Sequence, residues 1–91
     1  MLRIDHLAVV ATRLEDGVAA IEALFGVTMA GGGKHPLMGT HNRLVGLGDL
    51  YLEVIAPDPD ALFPGRARWF DMDRFTGPPR LTHWIASTDD L

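Results

Sequence analysis

Two histidines and a glutamate stand at the centres of three short apolar runs: His6 in "IDHLAVV", Glu53 in "YLEVI" and His83 in "THWIA". In an extended chain alternate residues share a face, so His6 lies with Ile4, Ala8 and Val10, and Glu53 with Tyr51 and Ile55. A carboxylate among apolar neighbours is costly to bury unless something pairs with it. Neutral imidazole nitrogen together with carboxylate oxygen is a donor set for zinc, iron, nickel or manganese, with positions left open for substrate. Each residue also has a structural reading. A strand histidine can pack in the core against a hydrogen-bonding neighbour, and Glu53 can face water on a sheet with one wet side. Metal chemistry requires that the three strands share one sheet face.

A second group, His35, Thr40, His41 and Asn42, crowds the segment "KHPLMGTHN" after the glycine run Gly31 to Gly33. Hydrogen-bonding side chains on a glycine-supported bend can orient a ligand at the mouth of a pocket, or simply be solvated. The glycine run is no phosphate cradle, since no lysine-serine or lysine-threonine ending or good helix follows it. No nucleophile elbow and no HExxH pattern occur.

The elements that must hold these residues follow from periodicity. "LRIDHLAVVA" alternates as a strand. Thr12 with Glu15 three positions later reads as a capping box, and Val18, Ile21, Ala23, Leu24 and Phe25 form an apolar stripe that Gly26 ends. "VTMAGGG" reads as a short strand running into a bend, and "KHPLMGTHN" as a polar loop without regular structure. "NRLVGL" and "LYLEVIA" form a hairpin through Gly48 and Asp49, ended by the prolines of "PDPD". Residues 58–80 make a long crossover with a short helical turn near 67–72, and the crossover's Trp69, Phe70 and Phe75 either plug the sheet or form a contact surface for a partner. "LTHWIAS" is a further strand, and "TDDL" has the composition of a helix start.

Ninety-one residues, 47% hydrophobic and 22% charged, suit one small domain. The net charge of −4 and interleaved signs argue against nucleic acid as a partner. With no cysteine in the sequence, disulfides and thiolate metal sites are excluded. Asp5 and His6 interrupt the N-terminal apolar run too early for a signal peptide, and nothing approaches a membrane span of about 20 apolar residues. The expectation is a cytoplasmic protein without a membrane partner.

The ends repeat one another. "LTHWIASTDDL" laid over "IDHLAVVATRL" places Leu81 on Ile4, His83 on His6 and Leu91 on Leu14. Together with "GGGKHPLMGTHNRLVGLGDLYLEVIAPDPD" and "GPPRLTHWIASTDDL", this pattern resembles the glyoxalase-like domain family of the vicinal oxygen chelate superfamily, which includes glyoxalase I, bleomycin-resistance proteins and extradiol dioxygenases. The resemblance covers essentially the whole chain. It implies an α+β fold: a βαβββ module forming a cupped mixed sheet with one helix on its convex face. Residues 1–57 would be the first module, 58–80 the crossover, and 81–91 the first strand and helix cap of a second module.

By the same resemblance His6, Glu53 and His83 fall on metal-holding positions, while His35, Thr40 and Asn42 match the loop motif that approaches the ligand, with Tyr51 lining the cleft. Three functional readings follow. One is a metal-dependent enzyme acting on a small oxygenated molecule, with Glu53 as ligand, proton-transfer base or both. Another is a ligand-sequestering module without chemistry. The third is an inactive fragment of a longer protein, because the rest of the second module is absent. The exposed sheet edge of a lone module further implies a homodimer.

Overall fold

A computed structural model of the chain describes residues 2–35, 39–60, 72 and 75–88. The elements are β1 (Leu2–Val10), α1 (Leu14–Phe25), β2 (Lys34–His35), β3 (Thr40–Gly46), β4 (Tyr51–Pro57) and β5 (Arg80–Thr88). One mixed sheet has the order β2-β3-β4-β1-β5. β1 and β4 run parallel, and every other neighbouring pair is antiparallel. This is the α+β arrangement of a βαβββ module with an additional strand.

The helix covers one face of the sheet. Leu14 and Ile21 pack on Val9, Leu52, Val54 and Ala56, with Ala11 and Met29 completing the cluster. Burying one such aliphatic side chain stabilises by about 1.5–3 kcal/mol. Gly17, a weak point by helix propensity, is explained by packing. A β-carbon there would stand 2.5 Å from Val54 Cγ1 and 3.0 Å from Ala11 Cβ, so its absence lets α1 settle against the sheet. On the opposite, far face of the sheet, Val10, Ile55 and Met72 are buried, with Phe75 packed against them.

Four expectations are corrected. Helix α1 begins at Leu14 with Arg13 as an extended N-cap that makes no side-chain capping bond. Thr12 does not close a capping box because Glu15 turns to Arg13 instead, at 2.9 Å. The apolar stripe is also narrower than its spacing implies: Leu24 and Phe25 are 73% and 61% exposed. "VTMAGGG" contributes only an isolated bridge between Ala30 and Leu44. Finally, "KHPLMGTHN" is not irregular throughout, for Lys34 and His35 pair with His41 and Thr40. The glycine run makes this possible by bringing the chain against β3, where a β-carbon on Gly32, at φ +86°, would stand only 2.2 Å from the Asn42 carbonyl oxygen.

The hairpin is as expected, with Leu47 N–H donating to the Leu50 carbonyl across the turn. Gly26 closes the helix, its N–H bonding the Glu22 carbonyl. The helical turn near 67–72, Trp69, Phe70 and the "DDL" end fall outside the described residues, Met72 excepted. Among the described residues no helix is long and apolar enough to cross a membrane.

Candidate functional site

Sheet register decides which residues meet. His6 stands opposite Tyr51, Ala8 opposite Glu53 and Val10 opposite Ile55. On the other side of β1, His6 pairs with Ile85, Ala8 with His83 and Val10 with Arg80. Directly paired residues project from the same face, so the far face carries His6, Tyr51, Glu53 and His83 together. Glu53 and His83 flank the small, fully buried Ala8. Two strand spacings of about 4.8 Å separate their backbones.

The contacts form a chain across the sheet. Gly33 N–H donates to Asn42 Oδ1 at 2.8 Å, and Asn42 Nδ2 donates to Glu53 Oε2 at 2.6 Å. Glu53 Oε1 then lies 3.2 Å from His6 Nε2, and His6 Nδ1 lies 2.8 Å from Asp5 Oδ2. The Tyr51 ring stacks on the His6 imidazole, with centroids 4.5 Å apart and planes within 9°. Glu53 is only 7% exposed, so this buried carboxylate has the partners its burial demands.

The imidazole is thus held between two carboxylates. A neutral ring carries one N–H, so it can donate to only one of them. With that proton toward Asp5, the closer acceptor, Nε2 presents a lone pair to the lone pairs of Glu53 Oε1. Two acceptors at this distance repel unless a proton or a cation lies between them. Tyr51 senses the same negative charge: burial, then the charges of Asp5 and Glu53, push its phenol above the ordinary range.

The donor set fits a divalent cation in chemistry. His6 Nε2 and Glu53 Oε1 converge, while Asn42 occupies the second Glu53 oxygen and leaves Oε1 for a ligand. Asp5 on Nδ1 supplies the outer partner that metal-bound histidines usually have. Among the described residues no three His, Cys, Asp or Glu side chains are already grouped to hold a cation. His83 lies on the right face beyond Ala8, but it is exposed and its Nδ1 meets the Thr82 hydroxyl at 2.8 Å.

The remaining candidates divide. Thr40 is fully buried and its Oγ1 has no hydrogen-bond partner among the described residues. Asn42 holds Glu53. The His35 backbone forms β2, and its side chain is not among those described. His41 is on the helix side of the sheet. It lines a cleft of about 430 Å³ with Thr12, Arg13, Leu14, Glu15, Pro57 and Pro59, away from the His6–Glu53 pair. Sequence reasoning misses Asp5, because neighbours on a regular strand point to opposite faces.

Comparison with known proteins identifies the family and the fold. A family model for the glyoxalase-like domain matches residues 4–91. The chain belongs to the glyoxalase-like domain family. No curated protein matches it. Among solved structures, a methylmalonyl-CoA epimerase in complex with methylmalonyl-CoA and NH4+ is 18% identical with a TM-score of 0.68, covering 100% of this chain and 63% of that one. A Streptomyces coelicolor methylmalonyl-CoA epimerase variant in complex with 2-nitronate-propionyl-CoA is 19% identical with a TM-score of 0.67, covering 98% and 64%. A hypothetical protein from Bacillus halodurans C-125 is 16% identical with a TM-score of 0.56, covering 66% and 44%. These likenesses establish the shared fold. This glyoxalase-like chain spans between 44% and 64% of the length of those structures.

Proposed function

We propose that this glyoxalase-like chain binds a small oxygenated molecule on the far face of its sheet, with His6 and Glu53 as its half of a divalent-cation site. The observation that carries the reading is the 3.2 Å approach of His6 Nε2 to Glu53 Oε1, with the other Glu53 oxygen fixed by Asn42. A cation bound there supplies Lewis-acid polarisation of a carbonyl oxygen. Glu53 Oε1 would hold the cation and, in turn, take a proton from a carbon beside that carbonyl and deliver it to the adjacent carbon, as in an isomerase. Asn42 holds the carboxylate in that orientation, and Val10, Ile55 and Phe75 form an apolar floor that keeps water from one side. The structural likeness to methylmalonyl-CoA epimerases accords with proton transfer at such a carbon. His83, beyond Ala8, is the third donor in this reading.

Calorimetric titration with zinc or manganese tests it. One cation per site is expected for the wild type, with binding abolished by His6→Ala and weakened at least tenfold by Glu53→Gln. Binding that both variants leave intact would overturn the assignment.

A second reading, ligand sequestration without chemistry, is favoured by one observation: among the described residues no three His, Cys, Asp or Glu side chains are grouped to hold a cation. Retained ligand affinity in a His6→Ala, Glu53→Gln double variant would support it. Both readings include a homodimer. Among the described residues no strand lies outside β5, and Leu81 and Trp84 on it are 60% and 63% exposed. Such an edge favours pairing with a second copy. Sedimentation equilibrium reads this directly, and a monomer at high concentration would remove the homodimer from both.

A further inference from the structure

We infer that Asp5 is a positioning residue: a β-bulge turns its carboxylate onto His6 Nδ1 and thereby aims the Nε2 lone pair at Glu53. This rests on the reading of His6 and Glu53 as a cation site, and it assigns a role to a residue outside the donor set.

The register shows how the device is built. Ile4 pairs with Ala86, but His6 pairs with Ile85, so two residues of β1, Asp5 and His6, oppose one residue of β5. Such a bulge breaks strict alternation and can bring consecutive side chains to one side, which is why bulges commonly re-aim a residue beside a site. Asp5 Oδ2 accordingly reaches the ring of its own neighbour at 2.8 Å, a contact that regular alternation forbids. The bulge has a second consequence. Ala86 and Ile85 face opposite ways on β5, so Ile4, which alternation places with His6, belongs to the helix side.

The carboxylate is 42% exposed, so it is not required by the core. It nevertheless faces two groups of the site, the His6 ring and the Tyr51 phenol. Tyr51 stacked on the imidazole restricts rotation of the ring. With Nδ1–H donated to Asp5, the neutral ring has its lone pair on Nε2. Without Asp5, the favoured partner is Glu53, and the proton moves to Nε2. That tautomer fills the position a cation would occupy. Asp5 is therefore the switch between a ring that donates to Glu53 and a ring that ligates beside it.

Two measurements on the metal-free and zinc-titrated protein test this. Long-range proton–nitrogen correlation of the imidazoles, assigned with His6→Ala, reads the tautomer at pH about 9, where an ordinary imidazole is neutral. We expect Nδ1–H in the wild type, Nε2–H in Asp5→Ala, and Nδ1–H retained in Asp5→Asn, whose amide oxygen still accepts. Zinc affinity should fall about 10–100-fold in Asp5→Ala and by less in Asp5→Asn, as for other outer partners of metal-bound histidines. An unchanged tautomer in a folded Asp5→Ala protein would overturn the inference, whatever the zinc affinity. If the wild type binds no zinc while the tautomer responds as described, the positioning role stands and the cation-site reading fails.

Discussion

Replacing Asn42 by alanine should damage the protein through Glu53 rather than through lost packing. Asn42 is 7% exposed and links two groups, donating to Glu53 Oε2 at 2.6 Å and accepting from Gly33 N–H at 2.8 Å. A hydrogen bond to a charged group is worth about 1.5–3 kcal/mol, and an orphaned buried partner costs a similar amount. Gly33 is exposed, so water replaces that half of the link cheaply, whereas Glu53 is not. The expected loss is therefore about 2–3 kcal/mol, a large part of the roughly 5–15 kcal/mol that holds a typical small domain. Urea unfolding followed by tryptophan fluorescence and circular dichroism measures it, with an unchanged denaturant slope showing that the folded state is intact. The assignment to Glu53 is checked with Glu53→Ala and the double variant, where a coupling of about 1 kcal/mol or more is expected for contacting residues. A loss under about 1 kcal/mol, or strict additivity with Glu53→Ala, would refute the reasoning.

Further outcomes follow from other contacts. Gly17→Ala improves helix propensity by about 1 kcal/mol yet should lower stability by roughly 1–3 kcal/mol through overpacking, because the new methyl would overlap Val54 Cγ1; Val54→Ala should restore part of the loss in thermal melts. Gly32→Ala should cost at least as much and loosen the Gly33–Asn42 bond, visible as faster amide exchange at Gly33, since its β-carbon would meet the β3 backbone. The Asp58 carboxyl is held below the ordinary range, first by the Asp60 N–H and then by the Lys34 charge, against an opposing effect of burial. Because the folded value is depressed, this stabilisation is present above the unfolded carboxyl value of about 3.9 and is lost as pH falls through the lower folded value. Acid unfolding curves should accordingly show a shallower decline in Asp58→Asn. Tyr51 should ionise above the usual phenol value of about 10, and Asp5→Asn should move its ultraviolet titration downward.

Much of the fold is legible in the chain because it depends on local pattern. The alternation in "HLAVV" and "YLEVI", the stop at Gly26 and the Gly48–Asp49 turn each express a preference that tertiary packing does not overrule, whereas the bulge at Asp5 overrules the alternation that places Ile4 with His6. Where packing decides, sequence reading errs. Leu24 and Phe25 have helical spacing but lie beyond the part of α1 that meets the sheet. Thr40 and His41 look like loop residues because their strand partners in β4, Pro57 and Ala56, are distant in the chain. The site follows the same division. Facing of His6 and Glu53 is readable from strand alternation once the strands share a sheet. The carboxylate of Asp5 is invisible, because a bulge is set by register with β5 and leaves no signature within β1.

The most direct test of the central claim is to locate a bound cation residue by residue. Titrating the isotopically labelled protein with substoichiometric manganese and recording amide spectra would broaden signals within reach of the paramagnetic ion. Selective loss is expected at His6, Tyr51 and Glu53 and their strand neighbours, abolished by His6→Ala. Broadening centred on Glu15 and Asp58 instead, with the His6 strand sharp, would contradict it.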